Sequence, residues 1–384
     1  MATTTMTRQD SKPIAEDEPA AKKPPSRVVQ LDWVRGLAIL LVIDHHAILP
    51  ASSNFLARAN SFVGEHVGWM GVDLFFVLSG FLVGGLLIQE ITKSGDIRVG
   101  RFLIRRMLKI WPAYYFYILF QIIVRRHPLN SFVWQNVLNI QNYAGTSLSH
   151  TWSLGVEEHF YLLLPIVLLW IYRKKPLRER LESILLGICV AVLCIRIVTY
   201  LMVGPDHLQW HTHARIDGLL YGVLLSHVLY ASRERFDRLL QHRVIFAILS
   251  IAVFVIALFT SHDSAYMSTI GYTVNSICFA ALMLLVYGYH GWLNQTKLYQ
   301  AMAWIGRYSY GIYLWHLSVR EPLAHLGERL PLPSSIAWLV VLTAQCAAAI
   351  VLGFLLTKLV EIPALRLRDR LFPRGVAQLP PTNP

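Results

Sequence analysis

The sequence predicts an all-α polytopic membrane protein of about ten transmembrane helices, with both the N- and C-termini cytoplasmic. Three observations predict this. First, of 384 residues 55% are hydrophobic and only 15% charged, with a mean hydropathy of +0.46, whereas a soluble domain carries about one-quarter charged residues. Second, ten apolar runs recur along the chain, at roughly 31–49, 67–91, 104–124, 152–172, 182–203, 212–230, 243–261, 266–289, 304–326 and 335–360. Third, Lys and Arg gather in alternate connections. With a cytoplasmic N-terminus, 26 of the 35 fall in inner segments and 5 in outer ones, while Arg35, Lys109, Arg196 and Arg215 lie within spans. Positive-inside loops are the rule for membrane proteins, so topology accounts for the net charge of +12. No basic domain with interleaved aromatic residues suggests nucleic acid as a partner.

Residues 1–27 are polar and rich in Ala, Pro, Lys and Glu, a composition that cannot build a core and predicts a disordered cytoplasmic tail. They do not form a signal peptide, since no small-residue cleavage site follows the first apolar run. A membrane domain is expected over 28–372 and a second disordered tail over 373–384. The first run, LDWVRGLAILLVIDHHAILP, carries Arg35 near one end and Asp44, His45 and His46 near the other. An Arg or Asp inside a span costs roughly 2.5–3.5 kcal/mol on insertion scales, which makes such a group a functional candidate. Arg35 and His46 are about three turns, roughly 16 Å, apart and share nearly one face.

Taken in order with this topology, the remaining polar groups fall into two layers. An inner layer holds Arg35, Arg105, Arg106 and Lys109, and suits an anion such as a phosphate. An outer-to-middle layer holds His46, Asp73, Glu157, Glu158, Arg215, Asp217 and His316, and suits acid–base chemistry. Each group also has a plain structural reading. The Arg105, Arg106 and Lys109 cluster equally suits a positive-inside anchor. Arg215 and Asp217 are two residues apart, so each is expected to pair with a neighbouring span. Asp73 is a candidate pin between helices, and Arg196 has no evident partner. Ser309 and Tyr313 lie on the stripe of His316. Gly80–Gly84 and Gly218–Gly222 are spaced for close helix packing. His45 is rotated by one residue from His46 and is expected to pack or to face the interface. Cys189, Cys194, Cys278 and Cys346 read as small buried hydrophobes. Segment 125–151 is expected to lie at the outer interface as a short helix or lid.

These stretches together resemble the acyltransferase 3 family of integral membrane acyltransferases over about residues 30–370. Arg35, a ten-residue gap and His46 reproduce that family's first motif. GVDLFFVLSGF (71–81), RRMLKIWPAYY (105–115), WSLGVEEHFY (152–161) and IGRYSYGIYLWH (305–316) are similar to its further motifs, with RIDGLLYG (215–222) and VEIPALRLR (360–368) as weaker matches. Lys109 stands where Arg is more usual, keeping charge but losing bidentate geometry.

The resemblance implies about ten helices in a bacterial-type inner membrane. It also implies a cytoplasmic acyl-CoA donor, most often acetyl-CoA, and a carbohydrate or glycolipid acceptor, with no permanently bound cofactor or metal. It implies His46 as the catalytic residue and Arg35, Arg105 and Arg106 as donor-binding, with Lys109 beside them. The expectation is that His46 takes the acceptor proton while Glu157 or Asp44 orients its ring, with His316 nearby; a covalent acyl-histidine is a variant of this. Some relatives carry an extracytoplasmic hydrolase-like domain. This chain is expected to finish the transfer in the membrane domain or pass the group to another protein. The competing reading is a proton-coupled transporter or flippase of an envelope precursor, since buried ionisable groups also mark ion paths. A haem protein using His46, His316 or His159 is a third, though it leaves the inner Arg layer without a purpose.

Overall fold

The computed structural model describes residues 28–124, 133–205, 208–289 and 291–373. The tail expected over 1–27 and, apart from residue 373, the one expected over 373–384 lie outside the described residues, as do Arg125 and Arg126. All regular structure among the described residues is helical. In chain order the helices are α1 (Val29–His46), α2 (Phe55–Val63), α3 (Met70–Ser94), α4 (Val99–Ile123), α5 (Val133–Val137), α6 (Gln141–Ala144), α7 (Trp152–Tyr172), α8 (Lys175–Glu179) and α9 (Leu181–Val203). They continue as α10 (Thr212–Ala231), α11 (Arg233–Gln241), α12 (Arg243–Leu258), α13 (Tyr272–Tyr287), α14 (Lys297–Arg307), α15 (Ser309–Glu328), α16 (Ser334–Leu356) and α17 (Ile362–Leu371).

Each predicted apolar run coincides with helix, but the runs are not equivalent. Five segments are long and apolar enough to cross a membrane: Met70–Ser94, Ser149–Tyr172, Leu181–Val203, Met267–Tyr287 and Ser334–Leu371. A sixth candidate, α11 with α12, bends by 68° at its break. Over its 18 residues α1 carries Asp32, Arg35 and Asp44, which lower its mean hydropathy. The predicted run 304–326 is corrected: the helix breaks at Tyr308, so Trp304 belongs to α14 and α15 starts at Ser309. Beyond residue 132, the segment expected at the interface forms α5, α6 and a turn of 3-10 helix at Ser149–Thr151.

The apolar faces are turned outward on the peripheral helices. Leu201 of α9, Ile251 of α12 and Val351 of α16 are more than half exposed. A soluble surface would rarely carry such continuous apolar area; lipid is the solvent that suits it. Cys194 stands on this outer wall and so departs from the buried reading, whereas Cys189 and Cys278 are buried, and all four thiols are unpaired.

Close backbone contact holds the interior together. The helices α3 and α10 cross where Gly80 meets Leu219: a Cβ added at Gly80 would lie 1.8 Å from the Leu219 carbonyl oxygen, and one at Gly222 would lie 2.1 Å from that of Val77. The paired glycines seen in the sequence are therefore the contact itself. Gly80→Ala is expected to force the two helices apart at a cost of about 1–3 kcal/mol, lowering the thermal midpoint in detergent. Gly84→Ala meets only the Ser226 Oγ and the Val223 side chain and Cα, from 3.0 Å outward, and is expected to cost less. Equal midpoints for the two variants would contradict this packing. Similarly, α1 lies against α14 through Gly36 on the Met302 carbonyl and Gly306 on that of Asp32, and against α3 through Gly71 on that of Ala38.

Candidate active site

Five helices, α1, α3, α4, α7 and α15, surround a chamber of about 110 Å³, room for a narrow chain or several waters. One part of its wall is cationic: Arg35 from α1 with Arg106 and Lys109 from α4. All three are half-buried. Arg35 is steadied by Asp32, one turn earlier, at 3.1 Å, and Asp32 is shared with Arg307 at 3.6 Å. Arg106 lies over the rings of Phe102 and Tyr161, 5.5 Å from each centroid, so its apolar plane is covered while its N–H edge stays available. Glu361, at the end of the π-helical turn Thr357–Glu361, acts electrostatically on Lys109 together with Arg35 and Arg106.

The polar remainder of the wall comes from α7 and α15. Glu157 shares the chamber wall with Ser79 and Tyr161, whose hydroxyls are 2.7 Å apart. Ser153, one turn before Glu157, lies 2.6 Å from the Tyr313 hydroxyl, which also reaches the His150 carbonyl at 2.5 Å. Ser153 and Tyr313 both line the chamber. Tyr313 is also its link to the histidines, because its own carbonyl lies 2.6 Å from His316 Nδ1.

His46 stands at the end of α1, beyond the chamber wall. Its Nδ1 is 2.9 Å from the Val42 carbonyl and 3.4 Å from His316 Nε2, and the two rings meet edge to face at 5.0 Å. A carbonyl oxygen can only accept. His316 Nδ1 must therefore carry a proton for Tyr313, which leaves His316 Nε2 as an acceptor. His46 Nδ1 must carry one for Val42, and it points that same proton towards His316. The pair is thus fixed in one set of tautomers, with the His46 Nε2 lone pair available to take a proton. His316 occupies the orienting place often filled by a carboxylate. Arg320, one turn beyond His316, donates to the His46 carbonyl at 3.3 Å. Buried His150 packs edge to face on His316 at 5.6 Å.

The structure divides the expected layers. Arg35, Arg106, Lys109 and Glu157 come together in the chamber, and His46 and His316 come together beside it. Three assignments are corrected. Glu157 faces Ser79 and Tyr161, not the His46 ring, because α7 turns it into the chamber. Asp44 accepts from Asn60 at 3.0 Å and lies against Gly64, since two residues of helix rotate it away from His46. Arg105 turns from the chamber toward α17, where it pairs with Asp369 at 3.1 Å and bonds the Phe372 carbonyl, being adjacent in sequence to Arg106 and hence on another face. Glu158 accepts from Trp111 at 3.2 Å.

The remaining outer charges pair between helices. Arg215 of α10 joins Asp73 of α3, with Asn275 also on Asp73 at 3.2 Å. Arg196 of α9, which had no evident partner in the sequence, joins Asp217 of α10. His45 packs as expected, its Nδ1 3.1 Å from the Gly64 carbonyl. Sequence reasoning missed His150 and Arg320. Signals were present in both cases: His150 lies two residues before the Trp152 motif, and Arg320 is four residues after His316, on the same helical face. Among the described residues no group of three or more His, Cys, Asp or Glu is arranged to hold a metal ion.

The profile of a family described as an acyltransferase domain matches residues 28–358, which takes in the five chamber helices. The chain belongs to the acyltransferase 3 family. Among its curated relatives is the peptidoglycan O-acetyltransferase OatA of Listeria monocytogenes, 27% identical over 370 residues that cover 88% of this chain and 55% of OatA. Another, of Bacillus subtilis, bears the name "Putative peptidoglycan O-acetyltransferase YrhL" and is 28% identical over 335 residues, 78% of this chain and 50% of that protein. The chain spans about half the length of these relatives. In this member of the acyltransferase 3 family, Arg35, Ser79, Arg106, Lys109, Glu157, Tyr161 and Tyr313 of the motif stretches line the chamber, while His46 stands beside it.

Proposed function

We propose that this chain is a multi-pass membrane O-acyltransferase that transfers an acyl group, acetyl in the first instance, from acyl-CoA to a hydroxyl of a carbohydrate or glycolipid acceptor. Family membership supports acyl transfer, and relatives named O-acetyltransferases support oxygen as the receiving atom. The observation that carries the reading is the continuity of the site: a cationic chamber is joined through Tyr313 and His316 to an imidazole of fixed tautomer. In the proposed topology both termini and the Arg35 end are cytoplasmic, ten helical segments cross a bacterial inner membrane, and the His46 end faces outward; the distribution of Lys and Arg supports this.

In the reading we favour, the CoA phosphates bind at Arg35, Arg106 and Lys109 and the pantetheine arm enters the chamber. The acceptor hydroxyl attacks the thioester carbonyl carbon and gives its proton to His46 Nε2. The C–O bond forms, the C–S bond breaks, and the thiolate leaves with the proton returned through His46, yielding ester and free CoA. His316 and the Val42 carbonyl hold the imidazolium in place. Both charges of that step then lie where water is scarce and fixed dipoles act strongly.

The test is purified protein in nanodiscs supplied with labelled acetyl-CoA and an oligosaccharide. The expected result is acceptor-dependent release of CoA thiol with label recovered in ester linkage. Movement of an acceptor across proteoliposomes with no thioester consumed would instead establish the transporter reading. Arg106→Gln and Lys109→Met are each expected to weaken CoA binding by about tenfold, the loss of one charge-assisted contact, with the acceptor KM unchanged. Unaltered CoA affinity in both variants, measured by calorimetry, would remove the phosphate from this chamber.

A further inference from the structure

A second cavity, much larger than the chamber, lies at the His46 end of α1. It is an open groove of about 660 Å³ between α2, the segment that follows α1, and the start of α16, within the range of small-molecule sites. Leu49 and Pro50 belong to its wall. Leu49 is three peptide units from His46, so their Cα atoms are at most about 11 Å apart. The chamber has room for a thin arm but not for an arm and a sugar together; this groove has the missing space.

The groove is a built feature. Gln345 of α16 clamps Ile48 from both sides, accepting from its N–H at 3.3 Å and donating to its carbonyl at 2.8 Å. Asn54 caps α2 by accepting from Leu56 N–H at 2.8 Å and also donates to the Ser335 carbonyl at 3.4 Å. Trp338 donates to that same carbonyl at 2.9 Å. The two walls are therefore tied together at both ends. What lines the groove is a mixture: the rings of Phe55, Phe62 and Trp338, with Arg58, Ser61 and Glu65. Phe55 is 79% exposed, which is costly in water and useful only against a ligand or lipid. One cation and one carboxylate leave no net charge, so the lining does not favour an anionic headgroup. Phe55, and Phe62 on the side not stacked on His66 at 4.2 Å, offer aromatic faces for C–H surfaces, Trp338 being only 7% exposed; the polar side chains offer both donors and acceptors for hydroxyls, and the set matches a neutral, polyhydroxylated ring.

We propose that this groove is the acceptor subsite and that it takes a sugar ring, stacked on the aromatic side chains and hydrogen-bonded by Arg58, Ser61 and Glu65. The proposal rests on the acyltransferase reading for its purpose, but its occupant is testable without turnover. The full chain in nanodiscs carries Ser61→Cys, labelled with a bulky, reducible thiol reagent. The parent protein is treated identically to account for exposed Cys194. Binding of chitotetraose is read by saturation-transfer NMR, CoA affinity by calorimetry, and transfer by thiol release.

The expected result is loss of the saccharide signal and a rise of about tenfold or more in acceptor KM, unchanged CoA affinity, and recovery on reduction. Trp338→Ala and Phe55→Ala are expected to weaken the saccharide signal without a label. A saccharide signal that survives the label and both alanine variants overturns the proposal. So does a parent protein that binds no chitotetraose while the label displaces only phospholipid. Label-sensitive saccharide binding with no thioester consumed under any condition would leave the groove in place and remove the acyl-transfer reading.

Discussion

His46→Ala is expected to lower acyl transfer by about 10²–10⁴-fold, the contribution of a positioned general base, while helix content and CoA affinity stay as in the parent protein. The size of the effect follows from the tautomer. The Val42 carbonyl fixes the proton on Nδ1, so the whole catalytic value of the ring resides in Nε2, which an alanine removes. His316 acts through His46: it is buried, and its Nε2 lies 3.4 Å from His46 Nδ1. His316→Ala is therefore expected to lower kcat by less than His46→Ala, with the acceptor KM preserved. Asp44→Asn is expected to leave transfer near the parent level, since that carboxylate is engaged by Asn60. Rates of thiol release for the three variants check this order. Substantial transfer by His46→Ala, or a larger loss in Asp44→Asn than in His316→Ala, would contradict the assignment.

The largest effect on stability is expected at Arg196 and Asp217. Both side chains are essentially inaccessible, at 0% and 1% exposure. The pair is knitted into α13 and the π-helical turn before it, Met267–Gly271, by Arg196 Nη1 donating to the Thr269 carbonyl at 3.1 Å and by Thr273 Oγ1 donating to Asp217 at 2.7 Å. Removing one partner strands a charge in an apolar interior, which costs about 3–5 kcal/mol. That is a large share of the roughly 5–15 kcal/mol that holds a typical fold. Asp217→Ala is expected to unfold well below the parent midpoint in detergent. The double variant Arg196→Met with Asp217→Leu removes both charges and is expected to recover much of the loss. A double variant no more stable than Asp217→Ala would show that these residues do more than pin α9 to α10.

Much of the chamber was legible in the sequence, because motif residues mark it on every wall. Arg35, Ser79, Arg106, Lys109, Glu157, Tyr161, Ser309 and Tyr313 all fall in the five stretches from which the resemblance was drawn. Helical periodicity also placed the glycine pairs and the rotation of His45 away from His46. What it could not give was the partner across a helix–helix gap. Arg196 and Asp217 are 21 residues apart in sequence, and nothing in either span announces that they meet. The same limit explains Glu157. At a depth suitable for His46, it is turned by its own helix toward Ser79, and a position along the membrane normal fixes no azimuth. Arg105 and Arg106 illustrate the point within one dipeptide: one side chain enters the chamber and the other goes to α17. The break at Tyr308 falls in IGRYSYG, which holds no proline to announce it.

The central claim is that a thioester delivered through the Arg35 chamber is attacked by a hydroxyl whose proton passes to His46. The most direct measurement is an electron cryo-microscopy structure of the full chain in nanodiscs with a non-hydrolysable acyl-CoA analogue. The account predicts phosphates against Arg35, Arg106 and Lys109, and the pantetheine arm running past Ser79 and Tyr313 with its carbonyl carbon on the side of the chamber facing His46 and His316. An analogue bound outside the chamber, or one whose acyl end points away from the histidine pair, would contradict it.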